Sequence, residues 1–149
     1  MKKKQTLAVL ATTFLLSSAV VASETRSAVS TPDAPAAIGP YSQAIKAGNT
    51  LYLSGQIALD PKSGQIAGAT IEEQTTQVLK NLSAVLAANG MTPANVVSTT
   101  VYLRDLGDFA AMNKVYGTVF TETAPARATI QAAKIPRDAL VEISAIAVR

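Results

Sequence analysis

The chain has 149 residues, with 13 Lys and Arg against 10 Asp and Glu, and neither Cys nor His. That length suits one domain with its own core. The missing residue types exclude a disulfide framework, a catalytic thiol, thiolate or imidazole metal ligands, and any Ser–His or Cys–His nucleophilic pair.

The net charge of +3 is unevenly placed. Lys2, Lys3 and Lys4 precede an apolar run, Leu7 to Ala22, that carries only hydroxyls as polar groups and exits through Val20-Val21-Ala22. A charged start, a short apolar stretch and a small-residue exit read as a bacterial secretory signal peptide over residues 1–22, with cleavage near Ala22 and a periplasmic destination. A membrane anchor is the alternative, but the run is shorter than the roughly 20 apolar residues of a spanning helix. The remaining 127 residues carry ten charges of each sign. A neutral chain without a basic stripe is a poor nucleic-acid binder, and no membrane association is expected after cleavage. Its low charge density suggests a surface partly buried against copies of itself.

Residues 23–35 are small, polar and Pro-containing, and read as a flexible lead-in to a domain over 36–149. Ser42–Ala47 and Thr50–Ile57 are predicted strands joined at Gly48-Asn49, and Asp60–Gly64 is a loop. Thr70-Ile-Glu-Glu73 is a capping box. It opens a helix with Ile71, Thr75, Val78, Leu82, Val85 and Leu86 on one face, ended by Gly90. Val96–Leu103 is apolar on both faces and predicted to be a central strand. Asp105 and Asp108 repeat the capping pattern before a helix whose inner side is expected to hold Phe109, Met112, Val115, Tyr116 and Val119. Ala128–Ala132 and Ala139–Val148 are the last strands. The order ββαβαββ predicts a single α+β domain, a mixed sheet with two helices on one face. The other face would stay uncovered, which again favours self-association.

Glu142 is the least expected residue. Alternation places it with Leu140, Ser144, Ile146 and Val148 on one face of a strand apolar on both sides, where a lone carboxylate costs several kcal/mol unless satisfied. It is either functional, or an edge residue in solvent, or half of a structural ion pair. Arg127, just before a strand and beside Pro125, has no acid nearby in sequence. Its planar fork suits a ligand carboxylate, or an ion pair with Glu142 across the last hairpin. Ile38-Gly-Pro-Tyr-Ser-Gln43 and Leu53-Ser-Gly-Gln56 are ordinary turn and bulge sequences, or the walls of a shallow pocket with Tyr41, Ser54 and the Gly55 amide as contacts. Asn113, among apolar helix positions, is either exposed or fixes a water or loop.

Five segments in register resemble the RidA/YjgF family: Ala34–Gln43 (APAAIGPYSQ), Leu53–Ile57 (LSGQI), Thr99–Phe109 (TTVYLRDLGDF), Pro125–Thr129 (PARAT) and Val141–Val148 (VEISAIAV). The resemblance covers nearly all of the chain after residue 34. It implies a chorismate-mutase-like fold, a homotrimer around a barrel-like core, and sites at subunit interfaces. It also implies hydrolysis of reactive enamine and imine intermediates to 2-oxo acids and ammonia without metal or cofactor, as a 2-iminobutanoate/2-iminopropanoate deaminase. By position it makes Arg127 the carboxylate-binding arginine and Glu142 the water-directing glutamate. Tyr41, Ser54, Gly55 and Asn113 become pocket residues, and Thr129 stands where many members carry Cys, contributing largely its backbone N–H. The segment from Val119 to Pro125 looks shorter than in familiar members. The other expectation, from a different class, is a non-catalytic trimeric small-molecule-binding or holdase protein of the periplasm.

Overall fold

The computed structural model describes residues 25–149; the signal peptide expected over 1–22 lies outside them. Six strands form one sheet: β1 (Ser27–Val29), β2 (Ala44–Ala47), β3 (Thr50–Ile57), β4 (Val96–Leu103), β5 (Ala126–Gln131) and β6 (Val141–Val148). Their spatial order is β1-β2-β3-β6-β4-β5. Two helices, α1 (Ile71–Ala88) and α2 (Phe109–Tyr116), complete the α+β architecture.

Local chemistry explains most of these elements. β2 and β3 pair antiparallel through a two-residue turn, Ala47 opposite Thr50, with Gly48 at φ +56° where a tight hairpin favours glycine. The Thr70 hydroxyl accepts from the Glu73 amide, and the Glu73 carboxylate returns to the Thr70 N–H, so α1 starts with the capping box read from the sequence. Val78, Leu82, Val85 and Leu86 of α1 then pack with Leu51, Val101, Ile143 and Ala145 from the helix-facing side of the sheet. Gly90, at φ +65°, follows the helix end.

Three expectations need correction. The lead-in over 23–35 carries β1, which pairs Ser27–Val29 with Ala44–Lys46 and adds a sixth strand. Gln43 holds the segment after it: its amide nitrogen donates to the carbonyls of Thr31, Ala34 and Pro35, and its oxygen accepts from Thr31 N at 2.6 Å. The second correction concerns α2. Asp105 caps a single 3-10 turn (Leu106–Asp108), accepting from Gly107 N at 2.8 Å, and Asp108 makes no side-chain cap. The helix ends at Tyr116, with Met112 and Tyr116 buried but Phe109 40% exposed.

The third correction is topological: β5 and β6 are not a hairpin. The crossover from β4 through α2 lays β5 parallel to β4 on its outer side, and β6 returns to fill the gap between β3 and β4, antiparallel to both. As an interior strand, β6 buries Val141, Ile143, Ala145 and Ala147 against the helices. The opposite sheet face leaves Tyr52, Ile130, Ile146 and Val148 exposed.

Candidate active site

The predicted site residues fall into two groups. The first lines a cavity of about 330 Å³, bounded by Tyr41, Ser54, Gly55 and Glu142 together with Ile38, Leu59 and Pro136. A β-bulge builds it. The β3–β6 register runs Leu53 opposite Ala145 and then Gln56 opposite Ile143, so Ser54 and Gly55 face one residue, Ser144. The bulge is anchored on the preceding segment: Ser54 N donates to Gln43 O at 3.0 Å and Ser54 Oγ to Ser42 O at 2.7 Å. The Ser54 hydroxyl oxygen can still accept.

Gly55 is there because the carboxylate needs its space. A Cβ at that position would lie 2.0 Å from Glu142 Oε1 and 2.9 Å from its Cδ. Tyr41 stands at the rim, about half exposed, with its hydroxyl accepting from Ile38 N at 3.3 Å.

Glu142 lies between Ile57 on β3 and Tyr102 on β4, both members of a small apolar cluster with Leu59, Ile135 and Ala139. Its carboxylate accepts no hydrogen bond and forms no ion pair among the described residues; burial pushes its pKa above the ordinary 4.5. A carboxylate of this kind, next to an open cavity, is suited to hold a water and to take its proton.

The second group lies at the sheet's outer edge. Arg127 on β5 is in register with Thr99, whose side chain faces the helices, and its guanidinium stacks on α2, with Cζ 4.6 Å from the Tyr116 ring centroid and 5.7 Å from that of Phe109. The ion pair with Glu142 does not form. Among the described residues the one salt bridge joins exposed Lys134 and Asp138. Four buried side-chain polar atoms lack any partner among those residues, and two of them, Asn113 Oδ1 and Thr129 Oγ1, belong to this second group.

A sequence model described as "Endoribonuclease L-PSP" (Ribonuc_L-PSP) matches residues 31–149, the whole of the sheet and both helices except β1. The chain belongs to this family, the RidA/YjgF family. A RutC family protein of Pyrococcus horikoshii is 52% identical over 117 residues, covering 78% of this chain and 93% of that one. The mouse protein named 2-iminobutanoate/2-iminopropanoate deaminase is 51% identical over 124 residues, covering 83% of this chain and 92% of the mouse protein. Among solved structures, E. coli TdcF with bound serine superposes with a TM-score of 0.80 at 39% identity, covering 83% of this chain and 98% of TdcF.

Within this RidA/YjgF fold, three polar residues of α1 escaped the sequence reading. Asn81, fully buried, donates to the carbonyls of Ile57 and Leu59 at 3.2 and 2.9 Å; Gln77 donates to Asn81 Oδ1 at 2.8 Å. Gln74 accepts from Leu140 N at 2.8 Å. Together they tie down the residue opposite Glu142 and the residue two before it. The available signal was a polar stripe, Gln74, Gln77 and Asn81, at helical spacing beside the apolar one.

Proposed function

We propose that this protein is a 2-imino-acid hydrolase, converting 2-iminobutanoate and 2-iminopropanoate to 2-oxo acids and ammonia. The observation that carries this is the half-buried, unpartnered Glu142 carboxylate, admitted by Gly55 to the edge of the cavity. Arg127 binds the substrate carboxylate through its fork, setting C2 of the iminium beside a water held by Glu142. The water oxygen bonds to C2 as Glu142 takes its proton. Glu142 returns that proton to the carbinolamine nitrogen, the C–N bond breaks to release ammonia, and the C2 hydroxyl proton passes through Glu142 to the ammonia, leaving the 2-oxo acid. Acid–base assistance of this kind is worth about 10²–10⁴-fold. Tyr41, Ser54, the Gly55 amide, Asn113 and Thr129 line the pocket and restrict the substrate's side chain.

One chain cannot do this alone, because Arg127 and Glu142 lie in different parts of the fold. The reading therefore includes a homotrimer in which the β5–α2 edge of one copy meets the Glu142 cavity of the next, completing each site at an interface. The exposed apolar sheet face supports such an assembly. The mouse relative's name and the amino acid bound in E. coli TdcF agree with a ligand bearing an α-carboxylate. Export to the periplasm, with cleavage near Ala22, completes the proposal and rests on the sequence pattern of residues 1–22.

Purified protein is expected to accelerate the loss of 2-iminobutanoate generated by an amino-acid oxidase. An unchanged rate on adding it, or full activity in Arg127→Ala, overturns the reading.

A further inference from the structure

Arg127 forms no ion pair within the described residues; its guanidinium lies over two aromatic rings. The Tyr116 ring, 4.6 Å from the guanidinium carbon, is itself held from several sides. Its hydroxyl shares a 2.7 Å hydrogen bond with Thr99 Oγ1, and its ring lies 4.5 Å from that of Phe120. Thr99 is also the register partner of Arg127, so the residue beside the arginine in the sheet fixes the ring beneath its head. Tyr116 is 5% exposed, and Thr99 is buried with it.

We propose that Tyr116 is a positioning residue for ligand binding: its ring face orients the Arg127 guanidinium so that the N–H fork stays free for a carboxylate. This rests on the reading of Arg127 as the carboxylate receptor. An acidic partner would orient the guanidinium too, but it would occupy the fork and cancel the charge. An aromatic face attracts the cation through its quadrupole, and no hydrogen bond among the described residues uses an Arg127 N–H, although the guanidinium also lies close enough to the Tyr116 hydroxyl to favour its ionised form. Burial raises the Tyr116 pKa above its usual 10.0, so the ring remains a neutral phenol wherever the enzyme would work. Phe109, at 5.7 Å, offers a second and weaker face on the exposed side.

The test compares binding of 2-oxobutanoate with its neutral amide, 2-oxobutanamide, by calorimetry on the purified protein, beside imine turnover. Wild type is expected to prefer the carboxylate. Tyr116→Leu should weaken the carboxylate about 3–30-fold, leave the amide unchanged, and raise KM with kcat held. Tyr116→Phe keeps the face and should retain the preference. Should Tyr116→Leu fail to fold, Phe109→Leu, at an exposed position, decides: a smaller loss of the same selective kind supports the proposal, and no change overturns it. Equal weakening of both ligands, or an undiminished carboxylate preference in Tyr116→Leu, also overturns it. If wild type itself shows no carboxylate preference, the reading of Arg127 falls first; if Arg127→Ala abolishes the preference and Tyr116→Leu does not, the positioning role alone falls.

Discussion

Gly55 and Glu142 are packed so closely that the glycine's missing Cβ defines where the carboxylate can be: a methyl there would sit 2.0 Å from Oε1 and 3.0 Å from Cγ. Gly55→Ala must push the glutamate side chain to another rotamer without touching the main core. The expected result is a loss of kcat approaching that of removing the base, within the roughly 10²–10⁴-fold range of acid–base assistance, with little change in melting temperature. An alanine variant with parental kcat would show that Glu142 does not act from this position.

Arg127 and Glu142 also have a fixed relation. They pair with Thr99 and Tyr102 of the intervening β4, an odd number of residues apart, so they project from opposite faces of the sheet. Arg127→Ala and Glu142→Gln are each expected to be inactive. Co-refolded, they should regain about a quarter of parental activity, since random assortment leaves that share of interfaces with both native residues. Mixed protein that stays inactive would place both groups of a site on one chain.

Burial without a compensating bond raises the Glu142 pKa above 4.5, so the folded state holds this proton more tightly than the unfolded chain. Ionising Glu142 therefore costs stability above its folded pKa, and the cost vanishes below the unfolded value. Glu142→Gln should melt higher than the parent at neutral pH, with the gap closing as pH falls through the raised pKa towards 4.5. A gap of constant size from about pH 7 to about pH 4 would contradict this. The parent's kcat/KM should decline over the same interval, because the protonated carboxyl cannot accept the water's proton.

Asn81 adds a buried donor to the Ile57 and Leu59 carbonyls, which also accept from Leu59 N and Gln77 Nε2 respectively. Asn81→Leu leaves both carbonyls without that donor, and denaturant unfolding should show a loss of about 1–3 kcal/mol. Stability within about 0.5 kcal/mol of the parent would mean that the donors left, Leu59 N and Gln77 Nε2, suffice for both carbonyls.

Several elements of the fold are legible in the sequence because their causes are local. The Thr70–Glu73 capping box, the Gly48-Asn49 turn and the two-residue alternation of Val141–Val148 each act within a few residues. Glu142 stood out for the same reason: one carboxylate among eight otherwise uncharged strand positions is visible without knowing the neighbours. Motif and resemblance point to Arg127, Tyr41, Ser54, Gly55, Asn113 and Thr129; of these, Tyr41, Ser54 and Gly55 line the cavity beside Glu142.

The pairing of strands was a different matter. Nothing local distinguishes a β5–β6 hairpin from a β6 that slips between β3 and β4, because the choice depends on closing long loops around the α2 crossover and on burying both edges of an apolar strand. That choice put Arg127 and Glu142 on opposite faces, brought β1 out of the lead-in, and set Tyr116 under the guanidinium. Composition and pattern determined which residues could carry chemistry; tertiary structure alone decided which of them can meet, since distance across a sheet is set by strand order and not by sequence separation.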